Sequence, residues 1–239
     1  MNRFFVSDIG PGTAGIAGED LKHLSSVLRL KKGDHVMLSD GKGSECEGEI
    51  EALEPGRARV KTGPWRPCVS EPHHKLTVFQ CLPKAGKMET IIQKCTELGV
   101  NALVPVYSAR CVVQPGREYD KKLQRYRKVA REAAMQSGRG WVPEVLPLVE
   151  LKKADLSVFD TVLCAYEGER ARTLKAAMKE GVGRRIALFI GPEGGFEAAE
   201  VEALQNKGAQ VISLGPRILR TETAGLCALA ALWTALGEM

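Results

Sequence analysis

The sequence predicts an α/β protein in which helices cover both faces of a parallel sheet, preceded by a small β barrel. Three observations support this. From Lys75 onward, strand-like and helix-like segments alternate, which is typical of a parallel sheet. Before Pro64, short segments of alternating polarity are separated by turns rich in glycine and proline. Between Pro64 and Pro72 there are three prolines and little periodicity, which indicates a domain boundary.

The elements of the first domain are short. A helical pattern over residues 20–28 ends near Gly33, and strand-like segments follow at residues 35–39, 47–51 and 57–61. Residues 40–41 and 54–56 have the composition of tight turns. We therefore predict a β-barrel domain over residues 1–70.

The second domain, over residues 73–239, is predicted to have longer elements. The predicted strands are residues 76–82, 102–107, 161–166, 185–190 and 210–214. The predicted helices are a segment ending at Gly99 and residues 119–136, 169–179, 198–206 and 224–236. The last of these is apolar nearly all round, so it must be covered on several sides.

Composition limits the class of protein. Hydrophobic residues make up 44% and charged residues 26% of the 239 residues, as in an ordinary soluble globular protein. The N-terminus lacks the pattern of a secretory signal, and residues 224–236 are too short to span a bilayer, so we expect a cytoplasmic protein. The seven cysteines form no C-x-x-C pair and no H-E-x-x-H occurs, so we expect neither a disulfide framework nor a metal site.

The positive charge is concentrated in one stretch. Between Lys84 and Gly140 there are twelve basic and five acidic residues, a local charge of +7 against +5 for the whole chain. Such a concentration favours a polyanionic partner such as RNA. A solvated helix face explains the same charges, and the charge pattern alone leaves both readings open.

Two segments that follow predicted strands carry the functional signal. Residues 191–196, Gly-Pro-Glu-Gly-Gly-Phe, let the backbone approach a ligand closely. Residues 214–224 combine charged and hydroxyl side chains just before the last helix. Singly, the first is an ordinary tight turn, and Thr221 or Thr223 of the second is a helix N-cap. Neither segment matches a dinucleotide or P-loop pattern.

Together, residues 191–196 and 214–224 resemble the cofactor motifs of the RsmE family of small-subunit ribosomal RNA methyltransferases, in the SPOUT superfamily. Further similar positions are His23 with residues 27–29, residues 87–89 with 93–94 and 96–99, and residues 136–139 with Pro143. Met135 departs from the family pattern, in which an acidic residue is expected. The resemblance implies a PUA-like barrel, a SPOUT domain with a C-terminal trefoil knot, a homodimer and S-adenosylmethionine as cofactor.

The resemblance also implies site residues. The implied cofactor-binding residues are Tyr166, Gly191, Pro192, Glu193, Gly194, Gly195, Leu214, Gly215, Ile218, Leu219, Arg220, Thr223 and Ala224. The RNA-binding candidates are Arg3, His23, Arg29, Lys32, Lys84, Lys87, Arg110 and Arg139. Taken alone, His23 is more often a structural histidine.

The implied reaction is methyl transfer to N3 of a uridine in small-subunit ribosomal RNA. Because N3 carries a proton, the reaction needs a base or a group that stabilises a negatively charged uracil. Arg220 and Glu222 are the candidates, although for Glu222 an ion pair that holds the loop is the favoured reading. Two alternatives stay open: another RNA target such as tRNA, and a non-catalytic RNA-binding protein of ribosome assembly.

Overall fold

A computed structural model of the chain describes residues 1–84, 86–116 and 119–239. The chain divides into two compact units. The first holds Met1–Glu71 and Ala134–Val142, and the second holds Pro72–Ala133 and Pro143–Met239. The first unit thus includes a segment from the middle of the chain that the sequence-based division places in the second domain. In the described part of the chain, no helix has both the length and the apolar character needed to cross a membrane.

The first unit is built on one sheet of seven short strands. They are β1 (Arg3–Phe5), β2 (Asp8–Gly10), β3 (Thr13–Ala17), β4 (His35–Ser39), β5 (Ser44–Glu54), β6 (Arg57–Thr62) and β7 (Arg66–Pro67). The order is β1-β4-β5-β6-β3-β2, with β7 beside β5, and all pairs except β1–β4 are antiparallel. Alternate residues such as Phe4, Ile50 and Val60 are buried in a single core. In the described residues β1 and β2 do not pair with each other, so the sheet stops short of a closed barrel.

The predicted helix over residues 20–28 is two different structures. α1 (Gly18–Lys22) runs into a π-helical turn, His23–Val27, closed by a 2.9 Å hydrogen bond from Leu28 N–H to the His23 carbonyl. Arg29 follows with φ of 54°, a conformation that is costly for a residue with a side chain. π-turns and strained backbone occur disproportionately at functional sites.

The second unit contains an entirely parallel sheet. Its strands are β8 (Lys75–Cys81), β9 (Ala102–Tyr107), β10 (Glu144–Val145), β11 (Val149–Glu150), β12 (Thr161–Ala165), β13 (Arg185–Ile190) and β14 (Gln210–Ile212). The order is β10-β9-β8-β13-β12-β14, and β11 also pairs with β9. The helices are α2 (Lys87–Glu97), α3 (Tyr119–Gln136), α4 (Leu174–Lys179), α5 (Ala198–Asn206) and α6 (Thr221–Leu236), with a 3₁₀ turn at Leu151–Lys153.

Each face of this sheet has its own hydrophobic core. Along β13, Ile186 and Leu188 belong to the core that includes side chains of α2, α3 and α6. Ala187 and Phe189 belong to the opposite core, which includes side chains of α5. Because the central strands are buried on both faces, most of their residues are apolar, and the exceptions include Gln80 in β8. The predicted α/β architecture, with helices on both sides of a parallel sheet, is confirmed.

One predicted helix is shorter than expected. The helix predicted over residues 169–179 begins only at Leu174. Its first five predicted residues instead form a turn in which the Glu169 carboxylate accepts hydrogen bonds from the N–H groups of Ala171, at 2.7 Å, and Arg172, at 3.0 Å. Thr173 then caps α4 by accepting from Ala176 N–H. The local carboxylate–backbone bonds compete with helix formation here.

Candidate functional site

The loops after three neighbouring strands meet at the carboxyl edge of the parallel sheet. Ligands bind at this edge in open α/β sheets. Here the loops after β12, β13 and β14 enclose a pocket of about 890 Å³. Its lining includes residues 165–167, 169–170, 173, 190–195, 213–221 and 224, together with Lys84 and Lys87. The two motifs singled out in the sequence therefore face the same space.

The glycine loop, residues 191–196, forms one wall of this pocket and is held firmly. A tight turn is closed by the 3.0 Å hydrogen bond from Gly195 N–H to the Pro192 carbonyl. Gly195 has φ of 68°, and a Cβ built there would overlap Glu167 Oε1. Phe196 is 1% exposed and anchors the end of the loop in the core. Only glycine satisfies both the backbone conformation and the close contact at position 195.

The arginine loop, residues 214–220, forms another wall and is held only near its ends. The Ser213 hydroxyl bonds with the backbone of Gly215, at 3.3 and 3.4 Å. Ile218 is 87% exposed. The guanidinium groups of Arg217 and Arg220 make no hydrogen bond or ion pair with any residue that the structure describes. They are therefore available to a bound substrate.

Lys87 lies between the two motifs. Its Nζ is 3.1 Å from Glu193 Oε1 in the glycine loop and 3.0 Å from Glu222 Oε2 in the first turn of α6. Glu193 also accepts a 3.0 Å hydrogen bond from Lys84 N–H. Lys87 was predicted to bind RNA, but its ammonium group is occupied by these two carboxylates.

These contacts set the charge states of the two glutamates. The N–H of Glu222 itself, at the start of α6, and the charge of Lys87 lower the pKa of this carboxyl. Burial opposes ionisation of Glu193, but Lys84 N–H and Lys87 outweigh it, so its pKa is also lowered. In turn, the Glu222 and Glu193 carboxylates raise the pKa of Lys87. All three groups are charged at neutral pH, and a carboxylate of lowered pKa is a poor proton acceptor.

The predicted cofactor residues converge on this pocket. Of the thirteen, twelve line it, and the exception is Thr223. Thr223 is exposed because it lies in the first turn of α6, where Thr221 and Ala224, three residues apart, face the pocket instead. Of the catalytic candidates, Arg220 lines the pocket and Glu222 does not.

Several pocket residues were missed in the sequence. Glu167 and Arg170 line the pocket but fall at the start of the helix predicted over residues 169–179 or just before it. Thr221 was read as a helix cap, yet Arg220 is the N-cap of α6 and the Thr221 hydroxyl bonds to Gly191 instead. The signal that could have found them is position: Glu167 and Arg170 lie in the loop after β12, and Thr221 begins α6, all at the carboxyl edge.

The RNA-binding candidates of the second unit differ in availability. Lys84 is exposed, and its side chain makes no hydrogen bond or ion pair within the described residues. The Arg110 guanidinium donates a 3.1 Å hydrogen bond to the Gly194 carbonyl, so it supports the glycine loop. Lys84 is thus the member of this group most open to a phosphate.

The RNA-binding candidates of the first unit also differ in whether they are exposed or buried in ion pairs. His23, Arg29 and Lys32 are exposed at and after the π-turn. Arg3 is instead paired with Glu45 at 2.7 Å, with 11% of its side chain exposed. Arg139 is paired with Glu71 at 2.6 Å, and 4% of its side chain is exposed. Burial in ion pairs keeps both groups from phosphates, so we remove Arg3 and Arg139 from the RNA-binding set.

Metal sites and reactive thiols are the other candidate chemistry in the described part of the chain. No group of three or more His, Cys, Asp or Glu side chains among the described residues is placed to hold a metal ion. The seven cysteines are free thiols, and all but Cys227 are buried.

Comparison with known proteins shows which class of domain contains this pocket. A family model described as an RNA methyltransferase domain matches residues 70–233. A second model, described as an RNA methyltransferase PUA domain, matches residues 16–62. The two units thus correspond to the two parts of a PUA-containing RNA methyltransferase.

The similarity extends over almost the whole chain. Ribosomal RNA small subunit methyltransferase E of Bacillus subtilis is 36% identical, over 97% of this chain and 96% of the relative. The protein of the same name from Mycobacterium bovis is 35% identical, over 95% of this chain and 89% of the relative. The crystal structure of the Neisseria gonorrhoeae protein of this name, bound to S-adenosyl methionine, matches with a TM-score of 0.87 and 32% identity, over 98% and 97% of the two chains. The chain belongs to the ribosomal RNA small subunit methyltransferase E family.

Proposed function

We propose that this protein transfers a methyl group from S-adenosylmethionine to N3 of one uridine in small-subunit ribosomal RNA, in the cytoplasm. The observation that carries the proposal is the convergence of twelve predicted cofactor residues on one pocket at the carboxyl edge of the sheet. Family membership supports the proposed class of reaction, and the lining of the pocket supports its proposed location.

The pocket fits the cofactor in size and in character. Its volume of about 890 Å³ lies in the range of small-molecule sites. A Cβ at Gly195 would meet Glu167, and a Cβ at Gly194 would lie 3.1 Å from Arg110, so the loop is shaped by the absence of side chains. We assign binding to the backbone of the glycine and arginine loops. When bound, S-adenosylmethionine supplies an electrophilic methyl group on a sulfonium.

Within this pocket we assign charge stabilisation to Arg220. Loss of the N3 proton to solvent water leaves negative charge on the uracil, which a nearby cation stabilises. Arg220 lines the pocket, and its guanidinium makes no hydrogen bond or ion pair within the described residues, although its charge contributes to the lowered pKa of Glu222. We withdraw Glu222 as the proton acceptor, because its carboxylate is paired with Lys87 and its pKa is lowered.

The RNA backbone is proposed to contact exposed basic residues of both units. His23, Arg29 and Lys32 of the first unit and Lys84 and Arg217 of the second are exposed. Phosphate contacts need charge and reach rather than fixed geometry. The match of residues 16–62 to a PUA domain of RNA methyltransferases supports a role in RNA binding for the first unit.

We also propose the trefoil knot and the homodimer that the family resemblance implies. In support of the knot, the chain leaving β14 runs beside the loop after β12, where Ser213 N–H donates to the Arg172 carbonyl and Leu174 N–H to that of Ser213. It then returns to Gly191 after β13. In support of the homodimer, the exposed positions of α6 from Cys227 to Ala235 are small and uncharged.

The decisive experiment is mass mapping of modified nucleotides in RNA from cells that lack the gene. We expect the loss of one N3-methyluridine from small-subunit ribosomal RNA and its return when the gene is restored. An unchanged ribosomal RNA together with a changed tRNA would replace the proposed substrate. Calorimetry that detects no binding of S-adenosylmethionine would favour a non-catalytic role in ribosome assembly.

A further inference from the structure

A buried chain of hydrogen bonds runs beneath the two cofactor loops. Gln80, at the end of β8, is 0% exposed. Its Nε2 donates to the Cys81 carbonyl at 3.0 Å and to Thr221 Oγ1 at 2.9 Å. The Thr221 hydroxyl, which opens α6 and is itself buried, donates to the Gly191 carbonyl at 2.6 Å. Three elements far apart in the chain thus meet in one polar relay.

The direction of this relay is fixed by its chemistry. A hydroxyl group has a single proton to donate. Because the Gln80 amide already donates to Thr221 Oγ1, the proton of Thr221 is committed to Gly191. The amide cannot be turned round, since its Oε1 would then face the Cys81 carbonyl, another acceptor. Gly191 therefore receives a hydrogen bond of defined direction.

The relay also has a cost that packing alone does not explain. Gln80 Oε1 is buried and has no hydrogen-bond partner within the described residues. An unpaired buried acceptor is destabilising, and an apolar side chain of similar size would avoid that cost. The sequence nevertheless places a glutamine between the buried apolar residues Phe79 and Cys81. What Gln80 does contribute is the hydrogen bond that fixes the position of Thr221 and, through it, of Gly191.

Two of the three residues of the relay, Thr221 and Gly191, line the pocket. Gly191 starts the glycine loop, and Thr221 directly follows the arginine loop, and both line the cavity. We propose that Gln80 and Thr221 are positioning residues that hold the Gly191 carbonyl, and with it the glycine loop, in the shape that binds S-adenosylmethionine. This inference rests on the proposed placement of the cofactor. Neither residue needs to touch the reacting atoms.

Paired substitutions at Thr221 test the relay. Thr221→Val keeps the shape and removes the hydroxyl, so calorimetry should show S-adenosylmethionine bound about tenfold more weakly. Thr221→Ser keeps the hydroxyl and should restore affinity to within about twofold of the unmodified protein. In steady-state assays the KM for S-adenosylmethionine should rise in Thr221→Val while kcat at saturation changes much less.

Thr96→Val is the matched structural control. Thr96 is a fully buried threonine of α2 whose hydroxyl bonds to the Ile92 carbonyl, and it does not line the pocket. Thermal unfolding should show a lower Tm for both valine variants, but only Thr221→Val should lose affinity for the cofactor. Equal cofactor affinity in Thr221→Val and Thr96→Val would reduce the relay to a stability element and overturn the inference.

Gln80→Leu provides a second, independent variant. Thr221 can still donate to Gly191 there, so we expect a smaller loss of affinity, about threefold. The double variant Gln80→Leu/Thr221→Val should bind no more weakly than Thr221→Val, because the relay is already broken. Additive losses would overturn the relay. Absence of binding by the unmodified protein would instead overturn the proposed function, and the relay with it.

Discussion

The two loops of the pocket are built in opposite ways. The glycine loop is anchored along its length: Gly191 by Thr221, Glu193 by Lys84 and Lys87, and Gly194 by Arg110. The arginine loop has hydrogen bonds only near its ends, and most of its side chains are exposed. A loop that is held before the ligand arrives loses little conformational freedom on binding. The glycine loop is therefore suited to holding the cofactor, and the exposed side chains of the arginine loop are suited to contacting the proposed RNA substrate.

This division predicts different defects from substitutions in the two loops. The largest effect is expected for Arg220→Ala in the arginine loop. Removal of a cation that stabilises charge in the transition state should lower kcat by about 100-fold. Because the side chain is not used to shape the loop, the Kd for S-adenosylmethionine should change by less than about threefold. Single-turnover methyl transfer and calorimetry measure the two quantities.

Arg217→Ala is the control for loss of charge in the same loop. It should weaken RNA binding in a salt-dependent manner and leave the rate at saturating RNA nearly unchanged. Equal losses of kcat in the two variants would mean that the loop contributes only its charge. Unchanged turnover in Arg220→Ala would remove this residue from the mechanism.

The next largest effect is expected for Gly195→Val in the glycine loop. Valine at φ of 68° is strained and would meet the Glu167 carboxylate. The Kd for S-adenosylmethionine should rise about tenfold to 100-fold. Gly208→Val is the matched control, because Gly208 also has a positive φ of 89° but nothing within 4 Å of its Cβ position. If both variants bind the cofactor equally well, the glycine loop is not a wall of the pocket that is formed before the cofactor binds.

The sequence predicts the pocket better than it predicts the network around it. Both loops follow buried strands, and their glycines are local features, so topology and composition suffice to place them. The ion pair of Lys87 with Glu193 joins residues 106 positions apart, and no local pattern reveals it. For the same reason Arg3 and Arg139 were predicted to bind RNA, although each has a carboxylate partner far away in the sequence.

Gln80 is an instructive intermediate case. A polar residue in a strand that is buried on both faces must find hydrogen-bond partners, so the sequence alone marks it as unusual. Its partners cannot be named without the fold, because Thr221 lies 141 residues away. The role of Thr221 cannot be predicted from its position, since a threonine at the start of a helix is expected to cap that helix.

Lys87→Met tests the connection between the loops and should have a moderate effect. It removes the ion pairs to Glu193 and Glu222 and keeps most of the apolar stem. Partly exposed ion pairs contribute modestly, so we expect the Kd for S-adenosylmethionine to rise about two- to fivefold. The control is Lys94→Met, which breaks the pair with Glu97 in the same helix but outside the pocket. A loss of RNA affinity with unchanged cofactor affinity would instead return Lys87 to the RNA-binding set.

The smallest expected effect is the pH dependence of the ion pairs that Lys87 makes with Glu193 and Glu222. The pKa values of Glu193 and Glu222 are lowered from 4.5, so their ion pairs with Lys87 are present above that value and are lost as the pH falls through the lowered pKa values. The pKa of Lys87 is raised from 10.5, so its charge is constant across the neutral range. The difference in Kd between the unmodified protein and Lys87→Met should be constant from about pH 6 to pH 8 and shrink below about pH 4.5. A difference that changes between pH 6 and pH 8 would show that a group other than these carboxylates governs the anchoring of the glycine loop.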